Sequence, residues 1–192
     1  WSIPEDSICF AFVGKLEKKK RVLDFLQALK RARERAPNIT GLVVGSGEQL
    51  EVADSFVKHW ALPVAFTGFL NQTEIFRAYV AADALVLPSN YGETWGLVVN
   101  EAMASEIPAI VSDRVGVAND LVIDGQTGLV VPFGDTRTIA RGMVLLATDH
   151  DARRKMGREG QLLVTADYSI ARAVERTREL TSLVLARRNA FA

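Results

Sequence analysis

Six short apolar runs alternate along this chain with longer stretches of helical period, and that alternation limits the fold more than any other feature. The runs are Ile8 to Val13, Gly41 to Val44, Val64 to Phe66, Ala84 to Leu87, Ala109 to Ser112 and Leu129 to Val131. Most are apolar throughout rather than at every second position, as suits strands covered on both faces. Helical stretches lie between them at Arg21 to Ala36, Glu48 to Trp60, Thr73 to Ala81 and Gly96 to Ser105. The succession predicts a doubly wound, Rossmann-like α/β domain: a parallel six-stranded sheet with right-handed crossovers and helices on both faces. After Pro132 the pattern changes to helix at Asp135 to Thr148, Asp149 to Val164 and Ser169 to Arg188, a helical carboxy-terminal tail over residues 135–190. In its last segment Ile170, Val174, Thr177, Thr181 and Val184 recur at helical spacing, leaving a face to pack on the domain or on a partner.

The 192 residues suffice for one domain with a core that needs no metal or disulfide. With 48% hydrophobic and 24% charged residues, disorder, collagen-like repeats and coiled-coil bias are excluded. No apolar run approaches the roughly 18 residues of a membrane span, and no basic-then-apolar amino terminus resembles a signal peptide, so a soluble chain is expected. It starts at Trp1 without Met, which sets the expectation of a piece of a longer polypeptide. The one cysteine, Cys9, stands among apolar neighbours, which predicts a buried structural thiol and fits a reducing cytoplasm.

In such a sheet ligands bind at the carboxyl ends of the strands. There the chain places Gly14-Lys15, Gly45-Ser46-Gly47, Thr67-Gly68 and Pro88-Ser89-Asn90-Tyr91-Gly92-Glu93. Glycine turns let backbone N–H groups approach a ligand closely, and Lys15 and Lys20 add positive charge at the same rim. Together they describe a phosphate site. The dinucleotide fingerprint is incomplete, because Leu50 stands where its third glycine belongs and no acid follows strand three for a ribose; an NAD-dependent oxidoreductase is therefore disfavoured. Asp149-His150-Asp151 lies between helical stretches and reads as helix capping rather than metal binding. His59 reads as a polar helix terminus.

The segment Glu93-Thr94-Trp95-Gly96-Leu97-Val98-Val99-Asn100-Glu101 holds two glutamates separated by seven residues. Glu101 lies about five residues into the helix that opens near Gly96, roughly 7 to 8 Å along its axis. Two carboxylates so staggered can grip two hydroxyl-bearing ends of one ligand while the helix amino terminus attracts a diphosphate between them. The segment resembles the E-x7-E motif of retaining glycosyltransferases with the GT-B fold, group 1 class (family 4). The resemblance extends through Phe12-Val13-Gly14-Lys15-Leu16, Val43-Val44-Gly45-Ser46-Gly47, Phe66-Thr67-Gly68-Phe69-Leu70, Asp83-Ala84-Leu85-Val86-Leu87-Pro88-Ser89 and Asp124-Gly125-Gln126-Thr127-Gly128-Leu129-Val130-Val131-Pro132.

The resemblance implies one half of a GT-B fold: residues 1–192 as the carboxy-terminal domain binding a nucleoside-diphosphate sugar such as a UDP- or GDP-sugar, with the amino-terminal acceptor domain absent. It implies catalytic roles for Glu93 at the transferred sugar and for Lys15 and Lys20 at the leaving diphosphate, without a metal ion. It further implies donor contacts from Gly14, Gly45 and Gly47, from Gly68 and Phe69 beside the base, from Gly96, Leu97 and Val98 at the sugar and diphosphate, and from Glu101 at the ribose. Carbohydrate or lipid-linked acceptors, polysaccharide biosynthesis, a cytoplasmic location with peripheral contact to the inner membrane face, and little transfer by this chain alone are the accompanying expectations; no nucleic-acid partner is. Three departures stand out: Lys15 replaces a common Arg, Arg21 a common glycine, and Val115-Gly116-Val117-Ala118-Asn119 falls where many members have Gly-Gly-x-Pro-Glu. A non-catalytic nucleotide-binding or interaction module on the same scaffold is the alternative.

The total of 23 basic and 23 acidic residues hides a local imbalance. From Lys15 to Arg35 nine basic residues face three acidic ones. Lys30, Arg31, Arg33 and Arg35 are read as a solvated helix face, with contact to anionic lipid as the alternative.

Overall fold

The computed structural model describes residues 1–190, with side chains through Arg187. Six parallel strands form one sheet: β1 (Ile8–Val13), β2 (Ile39–Val44), β3 (Val64–Gly68), β4 (Ala84–Leu87), β5 (Ala109–Ser112) and β6 (Gly128–Val131). Their order is β3-β2-β1-β4-β5-β6, so the chain reverses direction across the sheet between β1 and β4. In that arrangement a ligand crevice opens at the carboxyl ends of the two strands flanking the reversal.

The uninterrupted apolar strands have the cause the sequence suggested. Ile8, Phe10 and Phe12 of β1 face a core shared with α1 (Val22–Arg33) and α5 (Thr136–Thr148). Cys9, Ala11 and Val13 face the opposite core, shared with α3 (Phe76–Val80), α4 (Leu97–Ala104) and Val164 of α6 (His150–Asp167). Helix α2 (Leu50–His59) completes the first layer by burying Ala53 and Val57.

Among the element boundaries that differ from the local pattern, two have a visible cause. β2 begins at Ile39 rather than Gly41, because Ile39 and Thr40 pair with Ile8 and Cys9 of β1. α3 is reduced to five residues, since Asn71 Oδ1 accepts from the Thr73 N–H and hydroxyl at 2.9 and 2.7 Å and holds the preceding segment as a turn.

The three-helix tail is present, and its first two helices belong to the two layers. α5 buries Ile139, Met143 and Leu146 against α1, its start capped by Asp135, whose carboxylate accepts from the Arg137 and Thr138 N–H groups. Asp149 caps α6 through the Ala152 N–H at 2.9 Å, as the Asp149-His150-Asp151 spacing predicts. α7 (Ile170–Ala190) leaves Ile170, Val174 and Val184 exposed, so its apolar positions are not covered by the domain. No helix among the described residues is long and apolar enough to cross a membrane.

Candidate functional site

The turns after β1, β2 and β3 are tied into one backbone platform. The Gly14 N–H donates to the Val44 carbonyl at 3.0 Å, Leu16 N–H to Ser46 at 2.9 Å, and Gly45 N–H to Gly68 at 2.8 Å. Gly45, at φ +130°, passes so close to β1 that a Cβ there would lie 2.0 Å from the Gly14 carbonyl oxygen. Only glycine fits that crossing.

Beside this platform opens a cleft of about 380 Å³, walled by Val13, Gly14, Lys15, Gly45, Ser46 and Gly47 and by the apolar side chains of Phe69, Leu70, Ile75 and Val98. Phe69 is 75% exposed, an unusual cost for a phenylalanine without a partner. The structure thus brings Gly14, Lys15, Gly45, Gly47, Phe69 and Val98 to one cleft. Gly68 stands behind Gly45, which its carbonyl binds, rather than on the wall.

The other half of the site is the loop after β4. Its fold is held by local bonds: Asn90 Oδ1 accepts from Gly92 N–H at 2.8 Å, Glu93 N–H donates to the Asn90 carbonyl at 2.9 Å, and Asn90 N–H donates to the Lys19 carbonyl at 3.0 Å. On the far side the Gly116 N–H donates to the Glu93 carbonyl at 3.2 Å, and Val117 N–H to the Trp95 carbonyl at 3.1 Å. A Cβ on Gly116 would lie 2.0 Å from the Thr94 carbonyl oxygen, so one glycine of the departed Gly-Gly-x-Pro-Glu pattern is kept by steric need. Trp95 is fixed by its Nε1–H bond to Asn100 Oδ1 at 2.9 Å and packs against Tyr168.

Glu93 and Lys20 meet as a half-buried ion pair at the switch point. The Lys20 side chain also covers Gly14, whose Cβ position lies 3.7 Å from Lys20 Cε. Lys15 is mostly exposed and pairs with Glu17 at 2.7 Å; that hydrogen bond raises the Lys15 pKa and lowers that of Glu17. Glu101, on the exposed side of α4, accepts from the Tyr79 hydroxyl at 2.5 Å. Burial chiefly, and then that bond to a carboxylate, raise the Tyr79 pKa far above its ordinary value. α4 starts at Leu97 after its cap residue Gly96, φ +105°, and no side chain caps its first N–H groups; Leu97 is exposed beside them.

Sequence reasoning missed Tyr79, whose tie to Glu101 has no local signature. It also missed Ser89, fully buried where β4 ends, whose Oγ has no hydrogen-bond partner among the described residues. Arg21, in the left-handed region at φ +61°, substitutes for the common glycine by pairing with Asp24 at 2.8 and 3.0 Å. A larger cavity, about 530 Å³, lies at the opposite, amino end of the sheet beside Asp83 and Arg153. Those charges satisfy one another and the backbone: Arg153 lies 3.3 Å from Asp83 and donates to the Leu146 carbonyl at 2.6 Å, and Asp83 accepts from Cys9 N–H at 2.8 Å. It is a structural network. Among the described residues no group of three or more His, Cys, Asp or Glu side chains is placed to hold a metal ion.

Residues 1–163 match the family described as glycosyl transferases group 1. The chain is 35% identical over 159 residues to a glycogen synthase of Mycobacterium tuberculosis, covering 82% of this chain and 38% of the relative. It is 28% identical over 177 residues to the capsular polysaccharide biosynthesis glycosyltransferase CapM of Staphylococcus aureus, covering 85% and 43%. It therefore spans less than half the length of these curated relatives. Among solved structures, the carboxy-terminal domain of the group 1 protein LpcC from Francisella tularensis superposes with a TM-score of 0.77 at 27% identity, covering 85% of this chain and 87% of that one. Anabaena HepE, in complex with UDP, shares the fold at a TM-score of 0.84 and 20% identity, covering 92% and 49%. The chain belongs to the group 1 glycosyl transferase family.

Proposed function

We propose that this chain is the nucleotide-sugar-binding half, carboxy-terminal in its parent protein, of a retaining glycosyltransferase whose other half holds the acceptor. One observation carries the reading: the segments after β1, β2 and β3 and Val98 of α4 wall a single cleft that includes Lys15, and the turn after β1 also pairs Lys20 with Glu93 of the loop after β4. The near-complete mutual coverage with the LpcC carboxy-terminal domain supports the domain assignment. A solved protein of the same fold, Anabaena HepE, is described with UDP and with UDP-glucose, which supports UDP-sugars as the donor class.

In this reading the base lies against Phe69, Ile75 and Val98, the ribose hydroxyls bond Glu101, and the diphosphate lies over Gly14 toward Lys20 and the uncapped start of α4. Glu93 meets the transferred sugar. As the bond from the anomeric carbon to the diphosphate breaks, its electron pair leaves with the nucleotide, and the charges of Lys20 and Lys15 stabilise it without a metal. The acceptor hydroxyl oxygen then bonds the anomeric carbon on the face the nucleotide leaves, and its proton passes to the departing diphosphate oxygen. A carbohydrate or lipid-linked acceptor reaches that carbon through the other half.

Calorimetric titration with UDP, GDP, ADP and NAD tests the reading. Weak binding of a nucleoside diphosphate, no binding of NAD, and no transfer to simple acceptors by this chain alone are expected. Tight NAD binding would contradict it, as would full transferase activity in a parent protein carrying Glu93→Ala or Lys20→Ala, the result a non-catalytic module predicts.

A further inference from the structure

One guanidinium on this rim has no task in the reading above. The Arg114 Cζ lies 4.7 Å from the centre of the Tyr91 ring and 4.6 Å from the centre of the Phe133 ring. Phe133 is itself held, because its N–H donates to Asp113 Oδ1 at 2.9 Å and Arg21 covers its ring at 5.4 Å. Arg21 has a carboxylate partner in Asp24, whereas Arg114 has none among the described residues. Stacking occupies the faces of a guanidinium and leaves the N–H donors in its plane available. Contact with two rings restricts the side chain and so reduces the entropy lost when a ligand binds.

The place of Arg114 matters as much as its state. The bonds from Gly116 to Glu93 and from Val117 to Trp95 lay the loop after β5 alongside the loop after β4. Arg114 therefore stands on the loop bonded to that of Glu93 and reaches Tyr91 of it, on the β5 and β6 side of the switch point, while the apolar cleft lies on the β2 and β3 side. Lys20, not Arg114, covers Gly14 where the diphosphate is expected.

We propose that Arg114 makes this site selective for an anionic sugar, taking its carboxylate, sulfonate or phosphate in the plane of a guanidinium clamped by Tyr91 and Phe133. The proposal rests on the reading that Glu93 marks the sugar end of the donor site. A carboxylate accepts two parallel bonds from such a fork, which a neutral hydroxyl does not. The charge comes either from the donor sugar or from the acceptor.

The test compares two ligand pairs on the wild-type chain, R114Q and R114K: UDP-glucuronate against UDP-glucose, and methyl glucuronide against methyl glucoside with UDP saturating. The acidic member of one pair is expected to bind wild type about tenfold tighter, the gain of a charge-assisted bond over a neutral one. R114K keeps part of that preference and R114Q abolishes it. Preference in the first pair assigns the charge to the donor, and preference in the second to the acceptor. Equal affinities within both pairs, or a preference that survives R114Q, overturn the proposal. If UDP, GDP and ADP all fail to bind, the donor-domain reading fails separately. The two glycosides on the nucleotide-free chain then still test Arg114, and parity between them overturns its role.

Discussion

Lys20 and Glu93, 73 residues apart, close the switch point with a direct ion pair from the turn after β1 to the loop after β4. Both side chains are largely screened, at 16% and 14% exposure, so the pair is tighter than a surface bridge. In the proposed reading a diphosphate arriving at Gly14 shares Lys20 with Glu93 or takes it. The isolated chain carrying Glu93→Gln is therefore expected to bind UDP a few-fold more tightly than wild type, and Lys20→Ala about tenfold more weakly. Lys20→Ala also leaves Glu93 half-buried without its partner, at a cost of about 1–3 kcal/mol in urea unfolding. Calorimetry showing weaker UDP binding by Glu93→Gln would exclude the competition.

Tyr79 donates its hydroxyl to Glu101, and in the proposed reading it therefore acts on ribose recognition as a positioning residue. Tyr79→Phe is expected to cost about 1–2 kcal/mol of stability, the loss of a bond to a charged acceptor. It should also narrow the affinity difference between UDP and 2′-deoxy-UDP. An unchanged ratio would reduce Tyr79 to a packing residue.

Glycines at Gly45 and Gly68 have positive φ for different reasons, and substitution separates them. A Cβ at Gly68, φ +71°, meets open space, so Gly68→Ala costs about 1–2 kcal/mol of backbone strain. At Gly45 the Cβ would collide with the Gly14 carbonyl, and the ends of β1 and β2 must separate. Gly45→Ala is expected to lose more than about 3 kcal/mol and, in the same sample, the nucleotide site. Equal melting temperatures for the two variants would show that the crossing relaxes easily.

The sheet was legible because burial on both faces writes itself into its central strands as a continuous apolar run, and β1, β4 and β5, buried throughout, keep the bounds that pattern gives. Gly14, Lys15, Gly45 and Gly47 were legible because a parallel sheet gathers whatever follows its strands. The partners of the site residues were not. Tyr79 reaches Glu101 from a helix of five residues, and Arg114 finds Tyr91 and Phe133 through three different loops; such pairings depend on how turns fold back, which leaves no period to read. Ile39 joined β2 for a related reason, since its pairing with Ile8 supplies what local pattern lacks.

Cys9 gives the fold a pH dependence whose sign follows from its burial. Desolvation pushes the thiol up to about 12, with the Thr40 bond opposing and the Asp83 charge adding. An unfolded thiol titrates near ~8.5, so the folded state favours the protonated form. The stability it contributes is complete below that value and falls as pH rises toward the folded-state pKa, by at most about 1.4 kcal/mol per pH unit. Tyr79, also raised, acts in the same direction at higher pH. Urea midpoints are expected to hold from pH 7 to 8 and decline above about pH 9, with Cys9→Ala, less stable at neutral pH from its lost packing, showing the shallower decline. Parallel slopes for wild type and Cys9→Ala between pH 9 and 10.5 would place the alkaline instability elsewhere, and alkylation of Cys9 in the native protein at pH 8 would contradict its burial.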